Sequence, residues 1–258
     1  MNIEIRPATG FEQAAERLRR ELNNVGYEGP VDTALALELN ASGLTLIRDT
    51  SRPPLRLHLD FTAGRQGYRL AHSQQQREGL VRALGQPPQG ALIVDASAGL
   101  GRDALLLAAR GYRVMAWERH PVVYQLLADA LERASRHPAL TDSIRRIHLY
   151  AGPYDPSQTT ERPIAGVFDP MFPERAKRAA VKKEMQLLQA LMPTRPDADA
   201  AQTLAQLRTH VERRVVVKRP LQAPPLGPDP PHGSVRGKSV RFDIYHTPPP
   251  ADPVAPTE

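Results

Sequence analysis

Apolar residues change their rhythm near residue 92 of this 258-residue chain. Upstream, Phe11, Ala14, Ala15, Leu18 and Leu22 fall at helical spacing with charges between them. Leu35-Ala-Leu-Glu-Leu39 and Leu44-Thr-Leu-Ile47 flank Asn40-Ala-Ser-Gly43, which predicts a hairpin with its glycine at the turn. Leu55-Arg-Leu-His-Leu-Asp-Phe61 alternates with period two and predicts a third strand. Residues 1–70 are expected to form a small mixed or β-rich N-terminal domain, with a helix over 71–84 leading out of it.

From Leu92 the pattern becomes strand, then helix. Leu92–Asp95 precedes a helix over 101–110, and Arg113–Glu118 precedes one over 121–135. Ile147–Tyr150 and Ile164–Asp169 read as short strands, the second followed by a helix over 174–191. Arg214-Val-Val-Val-Lys218 and Val240–His246 supply late strands. This alternation predicts an α/β domain over 71–246, with a mostly parallel sheet and right-handed crossovers. Ten of the 26 prolines follow residue 220, in 221–231 and 247–258. The first group marks a loop; the second is expected to be a Pro-rich disordered tail. No internal repeat is visible.

Composition narrows the classes. The length suits one sizeable core plus a small accessory domain. No run of about 18 apolar residues occurs, so no membrane span is expected. Met-Asn-Ile-Glu-Ile-Arg lacks the pattern of a secretory signal. The chain has no cysteine, which excludes disulfides and thiolate metal sites. Its eight histidines lack metal-ligand spacing, so no metal is expected and a cytoplasmic setting is the default. The net charge of +6 suits a polyanionic partner. Arginine-rich, proline-rich chains also come from GC-rich genomes, so charge alone does not decide.

Asp95-Ala-Ser-Ala-Gly-Leu-Gly-Arg-Asp103 carries the first chemical signal. An apolar strand ends in an acid and opens through Gly99 and Gly101 into an alanine- and leucine-rich helix. Such a turn lets a ligand approach bare backbone at a helix N-terminus. Gly99-Leu-Gly-Arg-Asp-Ala104 also fits G-x-G-x-x-A, and Glu118 stands 19 residues beyond Gly99, which keeps a dinucleotide-dependent oxidoreductase in play. Asp95 argues the other way. It would repel a pyrophosphate, yet attract the ammonium and sulfonium of S-adenosylmethionine. Glu118 could then accept both ribose hydroxyls, with Arg119 near the adenine. A solvated strand end is the plain alternative for that pair. Asp103 is a further cofactor-site candidate, or a first-turn acid favoured by the helix dipole.

The second signal is Asp169-Pro-Met-Phe-Pro173, which closes the apolar run from Ile164. An exocyclic amine on a nucleobase is a poor nucleophile because its lone pair is delocalised into the ring. Asp169 and the Pro170 carbonyl can accept its hydrogens and hold the nitrogen in line with a methyl group. Phe172 can stack on the base, worth about 1–3 kcal/mol. Without chemistry, the same residues are a strand end and a stiffened turn.

With these stretches in order, the chain resembles the ribosomal RNA small subunit methyltransferase J family. Leu59-Asp-Phe, Val94 to Asp103, Glu118-Arg119 with Pro121-Val-Val123, and Asp169 to Pro173 carry the resemblance. Val181-Lys-Lys-Glu-Met185, Arg214 to Pro220 and Arg241-Phe-Asp-Ile-Tyr245 extend it. Together they run across about three-quarters of the chain. The resemblance implies a class I S-adenosylmethionine-dependent methyltransferase fold, Rossmann-like, that methylates the exocyclic N2 of one guanosine in 16S rRNA. It implies cofactor contacts at Arg102, Asp103, Glu118, Arg119 and Asp169. A further contact falls at Ala151-Gly152, where Ala-Gly-Pro-Tyr replaces the expected hydroxyl-bearing residues; a backbone contact survives that change.

Arg175, Lys177, Arg178, Lys182 and Lys183 lie on or near the helix after the second cluster, and Lys218-Arg219 ends the next strand. They are expected to form a phosphate-contacting stripe for small-subunit rRNA, naked or within a ribosomal subunit. A solvated helix face is the alternative for any one of them. An adenine- or cytosine-N methyltransferase acting on DNA or RNA shares the local chemistry. A non-catalytic RNA-binding relative is the third reading, which Asp95, Glu118 and Asp169 oppose.

Overall fold

The computed structural model describes residues 3–30, 32–50, 52–62, 79–170, 183–192 and 198–247. A four-stranded sheet has the order β1 (Glu4–Pro7), β2 (Leu35–Asn40), β3 (Gly43–Arg48), β4 (Leu55–His58). β1 runs parallel to β2, and the other neighbours are antiparallel. Between β1 and β2 lies α1 (Glu12–Asn24), whose buried stripe of Ala15, Leu18 and Leu22 matches its helical spacing. The hairpin pairs Asn40 with Gly43 as expected. β4 is shorter than the run to Phe61 suggested, because Leu59 and Phe61 leave the sheet to join the core. β1 was not expected; its single isoleucine, Ile5, is too little pattern to announce a strand.

Four further helices lie in the next part of the chain: α2 (Gly79–Leu84), α3 (Arg102–Ala109), α4 (Pro121–Ser135) and the short α5 (Thr141–Ile144). α6 (Lys183–Leu191) and α7 (Ala200–His210) follow. With them comes a seven-stranded sheet in the order β10 (Gly233–Arg236), β11 (Val240–His246), β9 (Arg214–Pro220), β8 (Ala165–Phe168), β5 (Leu92–Asp95), β6 (Arg113–Glu118), β7 (Ile147–Ala151). The strands from β9 to β7 are mutually parallel, and β10–β11 is an antiparallel edge hairpin. Every residue of β5 and β8 is buried, as continuous apolar runs in a covered parallel sheet require. This is the expected α/β architecture. From β5 the chain moves outward to β6 and β7, then returns to β8 on the other side. That reversal opens a crevice at the C-terminal ends of β5 and β8.

The two sheets share one continuous apolar core, in which Leu18, Leu37 and Leu57 join Val123, Leu127 and Leu187. Polar bonds reinforce the join: the Leu44 amide donates to Asp129 at 3.0 Å and Arg133 Nη2 to the Leu59 carbonyl at 2.6 Å. α7 and β10 were not anticipated. α7 buries only Ala200, Thr203, Leu204 and Leu207 among polar residues, and β10 is mostly exposed after a proline run. The 221–231 loop is pinned by the Tyr245 hydroxyl, which donates to the Leu226 carbonyl at 3.1 Å and accepts from its amide at 3.2 Å. The expected helices over 71–84 and 174–191 are described from Gly79 and Lys183 only. The boundary at residue 70 and the tail from 248 fall outside the described residues. Among those described, no helix is long and apolar enough to cross a membrane.

Candidate active site

Two strand ends build the floor of the crevice. Asp95 ends β5 and is 2% exposed. Its Oδ1 accepts the Ser97 amide at 3.1 Å, and Ser97 Oγ accepts the Asp169 amide at 2.7 Å. Ser97 thus couples the loop after β5 to the loop after β8. Asp103 enters from the first turn of α3. In register beside β8, β9 brings Lys218 one residue past the Phe168–Val217 pair. Its Nζ lies 2.8 Å from Asp169 Oδ2 and 3.3 Å from Asp103 Oδ2.

Two carboxylates therefore hold one ammonium, and the buried Asp95 carboxyl lies within its field. Burial, then the neighbouring Asp103, pushes the Asp95 carboxyl up to about 8, against the pull of the Ser97 amide. Desolvation also raises Asp169, with Lys218 opposing it. Desolvation works to lower Lys218, but Asp103 and Asp169 outweigh it and hold the ammonium above the ordinary lysine range.

The glycine turn faces β6. The Gly99 amide donates to Glu118 Oε2 at 2.7 Å, and the His120 amide to Oε1 at 2.7 Å. The Glu118 carbonyl accepts the Gly152 amide at 2.9 Å. Gly99 and Gly101 both have positive φ. A Cβ at Gly101 would run into the buried Leu127, whereas Gly99 borders open space where a ligand can meet bare backbone. Outside Glu118 lies a cavity of about 660 Å³, lined by Glu118, Arg119, Tyr124, Ala151 and Gly152, and by Val25 from the end of α1. Wall residues from α1 were not foreseen, because nothing in the local pattern of residues 21–25 signals a distant cleft.

The expected cofactor residues thus gather in two adjoining groups. Glu118, Arg119, Ala151 and Gly152 border the cavity; Asp95, Asp103 and Asp169 form the acidic cluster; Gly99 and Gly101 lie between. A cation with a diol-bearing sugar fits this set: carboxylates for the charge, Glu118 for hydroxyls, and no side chain at Gly99 to block the approach. An anionic pyrophosphate does not. Arg119 is bonded to Asp199 at 2.9 and 3.1 Å, and Arg102 pairs with Glu184 of α6. Pro170 is buried directly after Asp169.

The expected phosphate stripe needs correction at its β9 end. Lys218 is only 28% exposed and is committed to two carboxylates. Arg219 is 4% exposed and donates through Nε to the Pro224 carbonyl at 3.1 Å, so it braces the 221–231 loop. Strand alternation sends the two side chains to opposite faces of the sheet, and neither face there is free surface. Lys183 is exposed at the start of α6. Phe172, Arg175, Lys177, Arg178 and Lys182 lie outside the described residues.

Comparison with known proteins agrees with this geometry. The model of a family of SAM-dependent methyltransferases matches residues 22–247. The chain is 41% identical over 251 residues to the ribosomal RNA small subunit methyltransferase J of Thioalkalivibrio sulfidiphilus, covering 95% of this chain and 98% of that one. It is 39% identical to the enzyme of the same name from Dechloromonas aromatica, covering 91% and 96%. A crystal structure of a SAM-dependent methyltransferase from Neisseria gonorrhoeae superposes with a TM-score of 0.70 at 27% identity, covering 95% of this chain and 96% of that one.

Proposed function

The chain belongs to the ribosomal RNA small subunit methyltransferase J family, a class of S-adenosylmethionine-dependent enzymes, and we propose that it methylates the exocyclic N2 of a guanosine in 16S rRNA. The observation that carries this reading is Asp169. It is a carboxylate at the switch point, beside a cationic-ligand cluster and tied by its own amide to the glycine-turn side of the crevice.

S-adenosylmethionine supplies an electrophilic methyl on a sulfonium. Asp103 provides a negative field that favours such a cation, Asp95 adds to it as the cation draws out its ionised form, and Glu118 offers its carboxylate to the ribose hydroxyls. Asp169 and the Pro170 carbonyl accept the hydrogens of the guanosine amine and localise its lone pair toward the methyl. As the N–C bond forms and the S–C bond breaks, nitrogen is left with an extra proton, which passes to Asp169 and then to water. A carboxylate with a raised pKa suits that task. Phe172 is proposed to stack on the base, and Arg175, Lys177, Arg178, Lys182 and Lys183 to contact phosphates. A cytoplasmic enzyme acting on rRNA or a ribosomal subunit follows from the same reading.

The test is methyl transfer from labelled S-adenosylmethionine to small-subunit RNA from cells lacking the protein, followed by nucleoside mass spectrometry. N2-methylguanosine is expected. Methyladenosine or methylcytidine would replace the substrate, and tight binding of NAD with none of S-adenosylmethionine would overturn the class.

A further inference from the structure

Lys218 stands inside the site, yet it is neither a phosphate contact nor a ligand to the cofactor in the reading above. Its ammonium is the shared partner of Asp103 on α3 and Asp169 after β8, and Asp95 on β5 adds a third carboxylate to the same neighbourhood. We propose that Lys218 is a positioning residue for methyl transfer: it pins Asp169 through Oδ2, turns Oδ1 toward the substrate amine, and supplies the counter-charge that Asp103 and Asp169 share. This deepens the methyltransferase reading and rests on it.

The geometry supports each part. Asp169 is fixed at both ends, by its amide on Ser97 Oγ at 2.7 Å and by Oδ2 on Lys218 at 2.8 Å. Only rotation about the side chain could move Oδ1, and the lysine removes that freedom. The carboxylate is still 40% exposed, so a substrate can reach it. Asp103 holds the same ammonium at 3.3 Å, a second anchor that keeps it in the site. A point charge matters here, because an arginine fork would engage both carboxylate oxygens and cover the acceptor. Without that cation, desolvation and Asp103 would both favour a proton on Asp169, and a protonated Asp169 cannot take another.

Among the described residues, the charged groups facing Asp169 are Lys218, Asp103 and Asp95. Removing the cation should therefore raise the pH at which Asp169 ionises by about one to three units. The experiment compares wild type, Lys218→Met and Lys218→Arg. Carbon-13 NMR of labelled aspartate, assigned through Asp169→Asn, follows ionisation in the ligand-free chain. Single-turnover methylation is measured against pH, and S-adenosylmethionine affinity by calorimetry. In Lys218→Met the Asp169 titration and the acid limb of the rate should move up together. The rate at pH 7 should fall about tenfold or more and recover as pH rises, with cofactor affinity changed little at pH 7 because the proton taken up by Asp169 offsets the lost cation. Lys218→Arg should keep the wild-type titration while its rate falls.

An unmoved titration in Lys218→Met overturns the proposal. So does an Arg variant shifted as far as the Met variant, or a rate loss equal at every pH. The titration needs no RNA, so it judges Lys218 even where wild type fails to methylate guanosine. That second failure would sink the substrate reading instead.

Discussion

The Gly99 amide donates to Glu118 Oε2 at 2.7 Å, joining the glycine turn after β5 to the end of β6 across 19 residues of sequence. The other oxygen takes the His120 amide. Glu118 therefore shapes the turn before it meets any ligand.

Glu118→Ala should weaken S-adenosylmethionine by about 1.5–3 kcal/mol for each charged hydrogen bond lost. It should also free the Gly99 and His120 amides, visible as faster hydrogen exchange at both. Glu118→Gln keeps one acceptor and should show about half the loss. Calorimetry and exchange together separate these effects, and full affinity in the alanine variant would take Glu118 out of the ribose role.

Much of this site was legible because its residues sit where a change of pattern occurs. Asp95 and Asp169 are the first acids after buried runs, and Gly99 and Gly101 interrupt a strand-to-helix passage, so local composition marks them. Lys218 was misread because strand-end lysines usually reach solvent. Its assignment to Asp103 and Asp169 depends on β9 lying beside β8, a long-range pairing that spacing does not encode. Arg219 failed for the same reason: the loop that covers it returns from residues 221–231. α7 was missed because its buried stripe is interrupted by Thr203, Gln206 and other polar residues.

Asp95 makes the ligand-free protein sensitive to pH. Its carboxyl ionises near an ordinary 3.8 in the unfolded chain but near 8 in the fold. Its contribution to stability is full below about 4, falls as pH rises because only the unfolded chain releases the proton, and is lost above about 8. Asp95→Asn should therefore raise the melting temperature at pH 8.5 far more than at pH 4.5. The same change should weaken S-adenosylmethionine, which loses a carboxylate. Equal shifts at both pH values would mean that the buried acid is already ionised.

Arg219 and Lys183 should part company in RNA binding. Neutralising the exposed Lys183 by glutamine should lower the slope of log affinity against log salt by about one, and further with Arg178 and Lys182. Arg219→Met should leave that slope unchanged. It should instead destabilise the fold by about 1–3 kcal/mol, since the Pro224 carbonyl loses a charged donor. Filter binding across a salt series, with thermal melts, reads both; a reduced slope for Arg219→Met would return it to the RNA interface.

Asp169→Asn is the most direct probe of chemistry. The amide keeps the shape of the carboxylate and one acceptor, but loses the charge that stabilises nitrogen as it becomes cationic and the basicity that takes its proton. It also turns the Lys218 contact from an ion pair into a neutral hydrogen bond at best. Loss of one positioned electrostatic group should cost about 10²–10³ in single-turnover rate. S-adenosylmethionine affinity should fall much less, because Glu118 and the glycine turn are untouched. Phe172→Ala should instead chiefly raise the apparent KM for RNA, with kcat less affected, because stacking holds the base rather than the proton. A near-wild-type rate for Asp169→Asn across the pH range would remove that carboxylate from the reaction, and with it the reason for Lys218 to hold it.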